Sequence, residues 1–328
     1  MKIAVVGVGA MGCLLGAYLG KEEDVTLFGH WPEQVAAVSA HGLSLEHPDG
    51  RKTHHWLKIT SDPSSLSQID LALVVVKSRQ TAEAAKAIIK FLKPDGVAIT
   101  LQNGLNNRKT LRDILGDHRA TLGVTSEGAT VAGVAKVRHA GHGTTYFSRD
   151  ELLGDAQSAK IPAVVELFNR AGFDTHLAES TEGLAWGKLA VNAAINPLTA
   201  LLRVPNGFLV EHEELTLIMS KAAYEVVSIA EAQGIVLPFT DPAERAKSVA
   251  RATAANQSSM LQDILRGAPT EVDAICGAVV RIARELGMAV PVNTRLYHLV
   301  RQIEGGKPPL LETGDVAGLI RLMEQEFV

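Results

Sequence analysis

Hydrophobic and polar positions change their period twice along this chain, and each change marks a part of the fold. The chain opens with an apolar, β-branched run, Ile3-Ala4-Val5-Val6-Gly7, followed at once by the helix-compatible stretch Ala10 to Leu19 and a second short apolar run at 24–28. A helix is predicted near residues 32–40, then a mixed polar stretch to about Ser61. Residues 70–76, Asp-Leu-Ala-Leu-Val-Val-Val, show no alternation, as a strand buried on both faces of a parallel sheet requires. An alanine-rich helix to Leu92, a strand over 96–102 and a helix from about Asn106 continue the alternation. Short β-prone runs broken by glycine between Ala120 and Ser148 predict added strands. From Thr181 onward the period is helical only, with helices predicted over 181–202, 212–234, 243–255, 259–266, 271–287 and 293–304. The expected fold is α/β: a doubly wound parallel sheet over residues 1–178 and an all-helical C-terminal domain over 179–328.

The first strand-to-helix turn carries chemistry. Gly7, Gly9 and Gly12 form G-x-G-x-x-G between strand and helix, the Rossmann-type context in which the first glycine makes the turn, the second admits a pyrophosphate and the third permits close packing. Gly7, Val8, Gly9, Ala10, Met11 and Gly12 are therefore candidate cofactor-binding residues. The same apolar opening before Cys13 could be read as an export signal, but Ala10 stands where a lipoprotein signal wants a large aliphatic residue, and the βαβ continuation has no place in a signal.

Composition narrows the function. With 328 residues, 46% hydrophobic and 21% charged, the chain has material for two cores. A net charge of −4 excludes a broad basic face for nucleic acid. Cys13 and Cys276 form no CxxC pair, which fits a reducing, cytoplasmic setting, and the richest apolar stretch, residues 185–202, is broken by Lys188, Asn192, Asn196 and Pro197, so no membrane partner is expected.

Lys188, Asn192 and Asn196 stand four apart and make one polar stripe on an otherwise apolar helix. On the residues alone, a narrow wetted stripe and a functional stripe are both open. Here the chain resembles the ketopantoate reductase (2-dehydropantoate 2-reductase) family, whose helical domain carries a lysine-then-asparagine stripe ending in Asn196-Pro197-Leu-Thr-Ala. The likeness recurs in Gly7 to Gly12, Val76-Lys77, Gln102-Asn103-Gly104, Gly123-Val-Thr-Ser, His139-Ala-Gly141-His-Gly143, Pro205-Asn206-Gly207, Ser258-Ser259-Met-Leu-Gln-Asp263, Thr270-Glu271-Val-Asp273 and Gly287 to Thr294.

The resemblance implies reduction of a 2-keto acid by hydride from a nicotinamide, with ketopantoate as substrate, serving pantothenate synthesis. It implies Lys188 as general acid and Glu271 as the second catalytic residue. It places Asn103 near the nicotinamide and reacting centre, and it makes Asn103, Lys188, Asn192, Asn196, Asn206, Asn256 and Ser259 the substrate-holding set. Asn206 before a glycine could equally be a turn or cap, and Ser259 a helix cap. A homodimer is implied at family level. A different 2-keto acid on the same scaffold, or a cofactor-binding redox sensor without catalysis, are the alternatives.

Cofactor choice rests on the end of the second strand, which offers Phe28-Gly29-His30-Trp31 and no acid to bind a ribose. His30 stands where the family commonly has arginine, and a histidine is a weaker phosphate partner. Lys77 and Gln80 match positions that the resemblance puts on the adenosine side, so NADP (NADPH) is expected and NAD is less favoured. The histidines at 47, 54, 55, 139 and 142 match no usual metal-ligand spacing, so no metal is expected.

Overall fold

The computed structural model describes residues 1–325 and divides them into two compact units. The first comprises residues 1–102 and 106–181, the second residues 103–105 and those from Glu182 onward. The division thus falls at Thr181 rather than at 178, and the three residues Asn103 to Leu105 leave the first unit for the second. No sequence pattern signalled that excursion.

The first unit holds strands β1 (Lys2–Val6), β2 (Asp24–Phe28), β3 (Leu43–Glu46), β4 (Lys52–His55), β5 (Lys58–Thr60), β6 (Ile69–Val74), β7 (Leu92–Thr100), β8 (Ala120–Thr125), β9 (Gly128–Gly133), β10 (Lys136–Gly141), β11 (Thr144–Ser148) and β12 (Asp174–Ala178). Eight form one sheet in the order β12-β11-β8-β7-β6-β1-β2-β5. The run from β5 to β8 is parallel and has the strand order of a dinucleotide-binding sheet. β11 lies antiparallel to β8, and β12 parallel to β11. Ile3, Val5, Leu71, Leu73, Val97 and Ile99 are fully buried in one core, and Ala4, Ala72, Val74 and Ala98 face another, so covering both faces explains the missing alternation.

The stretch expected to be polar and mixed up to Ser61 contains three strands. Two of them join β9 and β10 in a second sheet, ordered β4-β3-β10-β9. Leu43 and Leu45 are buried while Ser44 and Glu46 are half-buried, a two-residue period too short to stand out from its surroundings.

In the second unit the helices run Glu182–Leu202, Glu213–Ala232, Pro242–Ala252, Ser259–Leu265, Cys276–Leu286, Pro291–Ile303 and Val316–Glu324. Among the described residues no helix is long and apolar enough to cross a membrane. The last helix, capped by the Asp315 carboxylate accepting from the Gly318 N–H, was not anticipated. Pro197 does not end its helix, and the Thr199 hydroxyl donates to the Ile195 and Asn196 carbonyls beside it. The helix expected over 271–287 begins only at Cys276. The residues before it are held otherwise: the backbone N–H and hydroxyl of Thr270 both donate to Glu304 Oε2, at 2.9 and 2.8 Å. Glu271 is thereby fixed in a turn ahead of the helix rather than inside it.

Candidate active site

The three glycines of the first turn are demanded for different reasons. Gly7 has φ +129°, and a Cβ there would lie 2.9 Å from the backbone after β6. A Cβ on Gly12 would fall 1.7 Å from the Gly7 carbonyl oxygen, so this glycine lets the helix Ala10–Leu19 close onto the turn itself. At Gly9, the N-cap of that helix, a Cβ would meet nothing within 4 Å among the described residues. That open backbone at a helix N-terminus suits an approaching pyrophosphate, so the cradle fits a dinucleotide. Cys13 behind it is buried, accepts from Gln34, and has its thiol pushed up to about 11 by burial, which leaves it unreactive.

His30 follows β2 as an exposed residue whose ring packs edge-on against Phe28, with centroids 5.3 Å apart. Lys77 caps the short helix Ser78–Gln80 that follows β6; Lys77 is half-buried and Gln80 exposed. Beside them lies Gln102, whose part in the fold its motif does not reveal. The buried Gln102 amide donates to the Val76 carbonyl (2.8 Å) and the Thr81 hydroxyl (2.9 Å), and its oxygen accepts from Thr100 (2.9 Å), which ties the ends of β6 and β7 together. Gln102→Leu is expected to take from the Val76 carbonyl and the Thr100 hydroxyl the partners they have here and to destabilise the protein by about 1–3 kcal/mol, measurable as a lowered urea midpoint.

The second unit gathers the proposed chemistry. Lys188 is half-buried on the helix Glu182–Leu202, with Asn192 half-buried one turn on and Asn196 buried a turn further. Desolvation pulls the Lys188 ammonium down to about 8, opposed by the Glu271 carboxylate. Asn103 Nδ2 donates to Glu271 Oε2 at 3.4 Å. Gly104 makes this placement possible: it has φ +87°, and a Cβ on it would come within 2.5 Å of the Ala274 carbonyl oxygen. Lys188, Glu271 and Asn103, far apart in sequence, therefore belong to one electrostatic cluster.

The remaining candidates divide. Asn206 is buried in a short helix after the turn; its amide donates to Thr253 Oγ1 (2.9 Å) and its backbone N–H to the Asn256 carbonyl (3.0 Å). Its Oδ1 is buried without a partner among the described residues. Asn256 and Ser259 are both exposed. Ser259 is not a cap: the N-cap is Ser258, whose hydroxyl oxygen accepts from the Leu261 N–H at 3.1 Å and lies within hydrogen-bond distance, 2.7 Å, of the Thr199 hydroxyl.

A lysine held near pH 8 can donate a proton when protonated and cannot when neutral. A rate that depends on Lys188 as proton donor is therefore expected to be level below pH 8 and to fall tenfold per unit above it, as read from a kcat profile.

Comparison with known proteins gives the family of the chain. Residues 3–151 match the family described as "Ketopantoate reductase PanE/ApbA", and residues 181–304 match "Ketopantoate reductase PanE/ApbA C terminal". The chain is 40% identical over 303 residues to a 2-dehydropantoate 2-reductase of Halobacterium salinarum, covering 92% of this chain and 98% of that one. The crystal structure of a PanE/ApbA family ketopantoate reductase from Ralstonia eutropha JMP134 superposes with TM-score 0.84 at 33% identity, covering 92% of this chain and 98% of that one. A ternary structure of D-mandelate dehydrogenase with NADH and anilino(oxo)acetate superposes with TM-score 0.85 at 25% identity, covering 92% and 97%. The fold and these matches define an oxidoreductase with a Rossmann-type unit and a helical unit. The chain belongs to the ketopantoate reductase family.

Proposed function

We propose that the protein reduces 2-dehydropantoate (ketopantoate) to pantoate with NADPH, as a step of pantothenate synthesis. The observation that carries this reading is the Lys188–Glu271–Asn103 cluster, with a lysine brought to about 8, in a chain of this family. NADPH, when bound, supplies the hydride that reaches the ketone carbon. Lys188 stabilises the negative charge growing on the ketone oxygen and delivers the proton that completes the alcohol; solvent then restores the lysine. Glu271 orients the ammonium and the substrate, and Asn103 is tied to Glu271 in turn. Asn192, Asn196, Asn206, Asn256 and Ser259 hold the carboxylate and hydroxyl of the substrate. The unpartnered Oδ1 of Asn206 offers a buried acceptor to a substrate hydroxyl. The backbone from Gly7 to Gly12 receives the pyrophosphate, with His30, Lys77 and Gln80 on the adenosine side.

A second reading, NADH with a bulkier 2-keto acid, is favoured by His30 in place of arginine and by the likeness to D-mandelate dehydrogenase with NADH. The two are separated by steady-state rates with NADPH and NADH, each against ketopantoate, 2-ketoisovalerate, pyruvate and an aryl 2-keto acid. The first reading requires the highest kcat/KM for ketopantoate with NADPH; a higher value for any other pair overturns it. His30→Arg is expected to raise the NADPH-over-NADH preference by about 3–10-fold, through a charge-assisted bond to the 2′-phosphate.

A further inference from the structure

We propose that Glu127, His139 and His142 form a binding site for a d-block divalent cation of the zinc type, apart from the residues assigned to reduction. Ligand atoms of all three lie within 4.8 Å of one another. Glu127 stands just after β8, His139 in β10 and His142 in the turn from β10 to β11.

The backbone brings them together. His139 and His142 are an odd number of residues apart, which in a regular strand would put them on opposite faces. The pairing of β10 with β9 is interrupted between His139 and Gly141, and such a bulge re-aims the side chains beyond it. Gly141 pairs with Gly128, and a Cβ on Gly143 would lie 2.3 Å from the Ser126 carbonyl oxygen, so the turn carrying His142 is pressed against the segment carrying Glu127. The two imidazole rings meet edge to face, 4.4 Å between centroids. Bulges and glycine contacts leave no mark on the sequence spacing of the histidines, so spacing alone gives no sign of this cluster.

The donors suit a cation. Glu127 is 8% exposed, and its Oε1 is buried with no hydrogen-bond partner among the described residues, a state that is costly for a carboxylate oxygen. Its Oε2 lies 2.6 Å from His139 Nε2. The other nitrogen, His139 Nδ1, is 3.1 Å from the Tyr18 hydroxyl, which also lies 3.1 Å from His47 Nδ1. Tyr18 has one proton for two histidine nitrogens, so one of the two histidines donates to its oxygen. Without an ion, His139 donates its Nε2 proton to Glu127 and its Nδ1 accepts from Tyr18. With an ion on Nε2 the proton sits on Nδ1 and is donated to Tyr18, whose own proton turns to His47, and Tyr18 becomes the outer partner that fixes the ring. Cation binding thus replaces the hydrogen bond between His139 and Glu127 and switches the tautomer. His142 is exposed, so the ion has a route in and a fourth position is left for water. Two imidazoles and one carboxylate select zinc, cobalt or nickel over magnesium or calcium.

The test uses the full-length protein with any affinity tag removed. Titration with Co2+ is expected to give a visible ligand-field band that saturates at one ion per chain, is displaced by Zn2+, and disappears in both Glu127→Gln and His142→Ala. Zn2+ at a hundredfold excess over its dissociation constant is expected to raise the melting temperature by about 5 °C in the wild type and not in His142→Ala, whose exposed site keeps the variant folded. Absence of a saturable band, or a band and melting shift unchanged in His142→Ala, overturns the proposal. Neither readout depends on reductase activity.

Discussion

Lys188→Met is expected to lower kcat by about 10²–10⁴ while making the folded protein more stable, two changes of opposite value from one substitution. The loss follows from the proposed role, since methionine can neither stabilise a developing alkoxide nor give it a proton. The gain follows from the cost of holding the lysine. Its folded value near 8 lies below the ordinary 10.5, so the unfolded chain binds the proton more tightly and folding is penalised wherever the group is protonated. That penalty is complete below pH 8 and fades as pH rises from 8 to 10.5. Methionine removes it at neutral pH, and an increase on the order of 1–3 kcal/mol is expected, part of it offset because Glu271 loses its counter-charge. Denaturant unfolding of both forms at pH 7 and pH 10 checks the sign: the variant's advantage must shrink at the higher pH. An equal advantage at both would mean that the ammonium is not held against desolvation.

Two glycines of one motif are expected to respond in different ways to the same change. Gly12→Ala puts a methyl 1.7 Å from the Gly7 carbonyl oxygen, backbone against backbone, with no side chain that can swing aside. The turn must open, at a cost of about 3 kcal/mol or more, and the expected result is a strongly lowered melting temperature together with lost dinucleotide binding. Gly9→Ala adds its methyl to open space. It is expected to melt within a degree or two of the wild type, yet to bind NADPH at least tenfold more weakly, because the methyl occupies the volume a pyrophosphate needs. Thermal unfolding and fluorescence titration with NADPH separate the two effects. Equal destabilisation by both alanines would show that the open backbone at Gly9 is structural.

The central sheet was legible because burial on both faces writes itself as an uninterrupted apolar run, as in residues 70–76, and the glycine turn because its spacing and context coincide. Strands β3, β4 and β5 were not legible: each has three or four residues, and β4 is Lys-Thr-His-His, whose β character comes from pairing with β3. Lys188, Asn192 and Asn196 could be placed on one face by helical spacing alone. The cluster of Lys188 with Glu271 and Asn103 could not, since it depends on a positive φ at Gly104 and on Thr270 being caught by Glu304, two long-range contacts without a local signature. The start of the helix at Cys276 was misplaced for the same reason. Motif resemblance named Gln102 without a role, and only its bonds to Val76, Thr81 and Thr100 reveal it as the clamp between two strand ends.

The measurement that tests the account most directly is the fate of the transferred hydrogen. Ketopantoate is incubated with the protein and NADPH deuterated at the reactive C4 position, and the product is examined by mass spectrometry and proton NMR. The account predicts pantoate carrying a single deuterium at C2, formed rapidly by the wild type and at least a hundredfold more slowly by Lys188→Met. Failure to form pantoate, deuterium lost to solvent, or an undiminished rate in the lysine variant would contradict it.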